Sequence, residues 1–168
     1  GVVHRDLKPS NLMIVPDSAA WAGERVKIVD FGIARTIEAS GEALTEVGKI
    51  IGTMRYMSPE QLRGEKVDGS TDVFALGLVL FEMIAGRPAF TGNGSVLKDQ
   101  ILREEAPNLR TVQHEVPRPL SDLVRRMLAK VATDRPTMTQ LEQELSQLSL
   151  TGSRSAIRTV SPSRLFPL

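Results

Sequence analysis

The sequence predicts an α+β fold that is mostly α, a helical body carrying one small β-hairpin. Three observations carry this expectation. Residues 12–15 and 26–29 are short β-branched runs separated by a polar connection that holds Pro16, Asp17 and Gly23, the pattern of a hairpin. Residues 73–86 are the longest apolar stretch, too short for a membrane span and carrying Glu82 inside it, so a buried helix is expected there. Residues 95–104, 120–130 and 137–148 show three further helical patterns behind Pro, Asn, Ser, Thr or Asp boundary residues.

In chain order, the hairpin is followed over 31–51 by glycine, serine and threonine that interrupt any periodicity, so a long irregular loop is expected, of the kind that is functional or mobile. Ser58 then caps a short helix with Pro59 in its first turn. Ser70 or Thr71 caps the next helix, which runs to Ala85 and stops at Gly86-Arg87-Pro88. Being apolar nearly all round, this helix should be central, with everything else packed on it. After Leu150 the composition turns to Ser, Thr, Arg and Pro, which divides the chain into a domain over 1–149 and a disordered basic tail over 150–168. Val2-Val3-His4 reads as the middle of a packed segment, so the chain is expected to begin inside a domain.

Composition excludes more than it names. The 168 residues are 41% hydrophobic and 4% aromatic, ordinary for one globular domain. With 21 basic and 20 acidic side chains and a formal charge of +1, no broad field favours nucleic acid or a membrane surface. The basic excess is local, because Arg154, Arg158 and Arg164 face no acidic residue in the tail. The absence of cysteine excludes disulfides, thiolate zinc sites and thiol nucleophiles and is compatible with a reducing compartment. The cytoplasm is the expected location.

His4-Arg5-Asp6-Leu7-Lys8-Pro9-Ser10-Asn11, followed by Asp30-Phe31-Gly32, resembles the catalytic-loop and metal-loop pair of protein kinases. Phosphoryl transfer from ATP needs a carboxylate near the attacking hydroxyl, a cation on the moving phosphate and hard oxygen ligands for Mg²⁺. The resemblance gives those parts to Asp6, Lys8, Asn11 and Asp30: Asp6 and Lys8 catalytic, Lys8, Asn11 and Asp30 toward ATP, Asn11 and Asp30 toward Mg²⁺, or Mn²⁺ in its place. An isolated Asp is usually a turn or a cap; the combined motif overrides that for Asp6 and Asp30. His4 is expected as scaffold and His114 as plain surface.

Lys8 and Pro9 after Asp6-Leu7 resemble the serine/threonine-specific form of the loop, so protein serine/threonine hydroxyls are the implied substrates. Gly52-Thr53 ahead of Tyr56 and Ser58-Pro59-Glu60 resembles the substrate platform, with Thr53 near Asp6 and Lys8. Arg5 before Asp6 marks kinases switched by loop phosphorylation; Thr45, with Ser40 second, is the candidate phosphosite or else solvated loop. Glu60 and Arg135 resemble the family's buried ion pair. Asp72 either holds the catalytic-loop backbone or caps the first turn of its helix.

The match runs from about Val3 to Leu148 and resembles bacterial kinases of the eukaryotic type. It departs from the family in one large respect: no glycine-rich loop, strand lysine, partner glutamate or hinge precedes His4. The implied fold is therefore a kinase C-terminal lobe whose N-terminal lobe is absent from this chain, expected to be inactive alone. The alternative is a non-catalytic docking or regulatory lobe with a kinase-like fold.

Overall fold

The computed structural model describes residues 2–20, 23–30 and 54–151. Two strands, β1 (Leu12–Pro16) and β2 (Glu24–Ile28), form an antiparallel pair with Leu12 opposite Ile28 and Pro16 opposite Glu24. The second strand begins two residues earlier than its β-branched run, because Asp17 closes the connection: its amide donates to the Gly23 carbonyl at 2.9 Å and its carboxylate accepts from Ala19. Gly23, at φ +73°, supplies the left-handed turn.

Six helices follow among the described residues: α1 (Pro59–Arg63), α2 (Gly69–Ala85), α3 (Gly94–Arg103), α4 (Leu109–Val112), α5 (Arg118–Met127) and α6 (Met138–Thr151). Ser58 caps α1 in a full capping box with Gln61. The cap of α2 corrects the sequence reading. It is Asp68, whose Oδ1 accepts from the Ser70 amide at 2.8 Å and the Ser70 hydroxyl at 2.6 Å. Ser70 and Thr71 lie inside the first turn, and Thr71 is committed elsewhere. Gly86 ends the helix in the left-handed conformation.

Helix α5 stops before the expected 128–130, and the last two of those residues turn their carbonyls to Arg135: Ala129 O accepts from Nε at 2.8 Å and Lys130 O from Nη2 at 3.2 Å. Helix α4, a single turn capped by Asn108, is too short to show periodicity and was not foreseen. The loop over 31–51, Thr53, Thr45, Ser40 and nearly all of the expected tail lie outside the described residues.

The core does gather on α2. Phe74, Leu78 and Phe81 meet Phe90, Leu97, Ile101, Leu109, Val124 and Leu128 in one cluster. Val73 meets Leu123, Met127 and Leu141 in a second. Each such buried side chain contributes on the order of 1.5–3 kcal/mol. Gly77 lets α2 and α5 approach closely, since a Cβ there would lie 3.0 Å from atoms of both Met127 and Leu128. Glu82, the charge inside the apolar stretch, accepts from the Tyr56 hydroxyl at 2.6 Å; burial and this carboxylate push the Tyr56 pKa up. No described helix is long and apolar enough to cross a membrane.

Candidate active site

The segment from His4 to Asn11 is held by three elements distant in sequence. Asp72, buried in the first turn of α2, accepts from the His4 amide through Oδ2 at 2.7 Å and from the Arg5 amide through Oδ1 at 2.9 Å. Its carboxylate is thus spent on the loop and does not cap its own helix. From α1, the Gln61 side-chain amide donates to the Arg5 carbonyl at 2.7 Å. Between these braces Arg5 sits at φ +67°, a conformation that costs a non-glycine residue about 1–3 kcal/mol and persists only where its surroundings impose it.

His4 supports the loop from beneath. Its Nδ1 accepts from the Asp6 amide at 3.3 Å and its Nε2 meets the Val29 carbonyl at 3.2 Å, a pattern that assigns the ring proton to Nε2. The histidine therefore ties the loop to the hairpin.

On this frame three of the motif residues meet. Asp6 Oδ2 lies 2.9 Å from Lys8 Nζ. Asn11 is buried, and its Nδ2 donates to the Asp6 carbonyl at 2.8 Å and to Asp6 Oδ2 at 3.3 Å. Those bonds commit Nδ2 as the donor and leave Oδ1 as the accepting atom of the amide, 3.5 Å from the Ser10 hydroxyl. Hairpin register delivers the fourth residue: the Val29 amide donates to the Asn11 carbonyl at 2.9 Å, extending the ladder by one pair and leaving Asp30 just beyond Asn11. Asp30, at φ +56°, is in a left-handed conformation that aspartate tolerates better than most residues. An amide oxygen beside an exposed carboxylate suits a hard divalent cation that takes its other oxygens from phosphates and water.

Glu60 and Arg135 form the polar centre of the molecule. Arg135 Nη1 and Nη2 donate to Glu60 Oε1 and Oε2 at 2.7 and 2.9 Å, and Nη1 also donates to the Ser70 carbonyl at 3.0 Å. The Thr71 hydroxyl donates to Glu60 Oε1 at 2.7 Å, and the guanidinium carbon lies 4.8 Å from the Phe74 ring centre. Burial alone would raise the Glu60 pKa, but the Arg135 and Thr71 bonds bring it from 4.5 to about 2.

A carboxyl group whose folded pKa lies below its unfolded value stabilises fully above the unfolded value. That stability drains as pH falls from about 4.5 toward 2, in total about 3 kcal/mol for this shift. Urea unfolding at pH 6 and at pH 2.5 should therefore show a smaller loss in Glu60→Gln than in the unmodified protein; equal losses would remove Glu60 from the acid transition.

Two contributors escaped the sequence reading. Gln61 looks like an ordinary helix residue, and only its capping-box spacing from Ser58 marks it. Thr71 looks like a cap. Of the expected site residues, Asp6, Lys8 and Asn11 come together, Asp30 follows the residue paired with Asn11 across the hairpin, Arg5, Asp72, Glu60 and Arg135 lie in the frame around them, and Thr53 and Thr45 lie outside the described residues.

Comparison with known proteins matches residues 1–145 to the protein kinase domain. The serine/threonine-protein kinase PknB of Mycobacterium tuberculosis is 43% identical over 137 residues, covering 80% of this chain and 21% of that protein. PknB of Mycolicibacterium smegmatis is 40% identical over 136 residues, with the same coverage. Serine/threonine-protein kinase A of Synechocystis is 39% identical over 137 residues, covering 80% of this chain and 26% of the relative. The chain thus spans about a fifth to a quarter of the length of these relatives.

Proposed function

The chain belongs to the protein kinase family, and from that premise we propose that it supplies the C-terminal lobe of a serine/threonine kinase that transfers the γ-phosphate of ATP to serine or threonine hydroxyls of proteins. The observation that carries this reading is the meeting of Asp6, Lys8 and Asn11 within hydrogen-bond distance, with Asp30 one residue past the Asn11–Val29 pair.

In the proposed mechanism Asp6 accepts a hydrogen bond from the substrate hydroxyl, aims it, and takes its proton late. Lys8, already against Asp6, offers its ammonium to the phosphoryl group in transit. Asn11 Oδ1 and the Asp30 carboxylate would hold Mg²⁺, or Mn²⁺, which when bound neutralises phosphate charge. Positioning supplies most of the rate, which is why the backbone beneath Asp6 is braced by Asp72 and Gln61.

The remaining assignments extend the same reading. An N-terminal lobe completes the ATP cleft over the hairpin, which exposes Met13 on one face and Ile14, Val26 and Ile28 on the other. Thr53 forms part of the substrate platform, a phosphate on Thr45 or Ser40 pairs with Arg5, and the catalytic domain works in the cytoplasm.

Transfer of radiolabelled phosphate from Mg·ATP to a generic protein substrate tests the proposal, using the chain preceded by its own upstream sequence. Labelling that falls about 10²- to 10⁴-fold in Asp6→Asn is the expected outcome. No labelling by the extended protein would leave the docking-lobe reading in its place.

A further inference from the structure

Between α4 and the start of α5 lies a solvent-open cleft of about 400 Å³, lined by Asn108, Arg110, Thr111, Arg118, Ser121 and Asp122. It is built from residues that take no part in the candidate active site. Its framework is set from within: Asn108 Oδ1 accepts from the Arg110 amide at 2.8 Å and from the buried Ser121 hydroxyl at 3.1 Å, while the Thr111 hydroxyl donates to the Asn108 carbonyl at 2.7 Å. The asparagine oxygen is thereby saturated and its NH₂ is left to donate.

The two guanidinium groups are not used in this way. Among the described residues neither Arg110 nor Arg118 has a side-chain hydrogen-bond or ion-pair partner. The Nε–H of Arg110 is moreover buried without an acceptor, so among the described residues no nitrogen of this guanidinium is engaged. Two unpaired guanidinium forks and an amide NH₂ around one cleft are an oxyanion-binding set. A tetrahedral dianion has the terminal oxygens and the charge to engage both forks at once. Asp122 on the same wall opposes a polyanion such as nucleic acid and favours a ligand with a cation next to its anionic group.

We propose that this cleft binds a phosphoserine or phosphothreonine side chain of a peptide, with Arg110 and Arg118 on the phosphate and Asp122 facing a basic residue beside it. The site would hold a kinase near segments that are already phosphorylated, and binding there is independent of catalysis.

The test is fluorescence anisotropy with the full-length protein and a dye-labelled peptide carrying phosphothreonine next to arginine, alongside its unphosphorylated twin and inorganic phosphate as competitor. The phosphopeptide is expected to bind at least tenfold tighter than its twin. Arg110→Gln and Arg118→Gln should each weaken it about tenfold, and Asp122→Asn should lower the preference for the basic neighbour. Asp6→Asn should leave the binding unchanged, placing it away from the catalytic loop. Arg110→Gln should keep its melting temperature, since Nε has no partner to lose. Equal affinity for the two peptides, phosphopeptide binding that survives the double arginine substitution, or phosphopeptide binding that excess inorganic phosphate does not displace overturns the proposal.

Discussion

Arg135→Ala is expected to destabilise the protein by about 3–5 kcal/mol, a large share of the total stability of a domain. The side chain is fully buried against a nearly buried Glu60, and it also donates to the carbonyls of Ser70, Ala129 and Lys130. Truncation leaves a buried carboxylate without its cation and three carbonyls without their donor. Arg135→Lys should recover little, because a lysine has one point of charge where this site uses a planar fork. A double-mutant cycle with Glu60→Gln by urea denaturation measures the coupling; an interaction energy near zero would mean that the pair is not what joins α1 to the helical body.

The second large effect concerns turnover. On the proposed mechanism, Asp72→Ala lowers kcat about 100-fold in the extended protein while KM for the protein substrate changes little. The substitution removes the acceptor for two amides and the restraint that holds Arg5 at positive φ. Once the loop relaxes, Asp6 moves, and a displacement of about 1 Å at a reacting group costs about that factor. Asp72→Asn, with one acceptor oxygen in place of two, should fall between the two proteins. Full turnover in Asp72→Ala by steady-state kinetics would show that the loop keeps its shape without this anchor.

Residues with a local signature were legible before the fold was known. The β-branched runs located the hairpin, Glu82 and its apolar surroundings located the central helix, and Gly86 marked its end. The motif residues Asp6, Lys8, Asn11 and Asp30 were readable as a group. What was hidden depends on separation in sequence or on competition between similar neighbours. Asp68, Ser70 and Thr71 are all competent caps in one short stretch, and only the three-dimensional course of the chain commits Thr71 to Glu60 and leaves the cap to Asp68. Gln61 reaches Arg5 across 56 positions, and no local pattern reports such a contact. Helix α4 and the cleft beside it are invisible to periodicity because a single turn has none.

The Glu60–Arg135 pair also bears on the order in which the molecule can assemble. Its partners are 75 positions apart, so during synthesis on the ribosome Glu60 emerges long before the cation that will accompany it inside. Until residue 135 is available, burying that carboxylate is unfavourable, and α1 has reason to stay hydrated at the surface. Since Gln61 on α1 is one of the two braces of the Arg5 backbone, the loop bearing Asp6 acquires its final shape only after nearly the whole domain has been made. A nascent or truncated chain lacking α6 and the turn before it would have the motif complete in sequence and unformed in space.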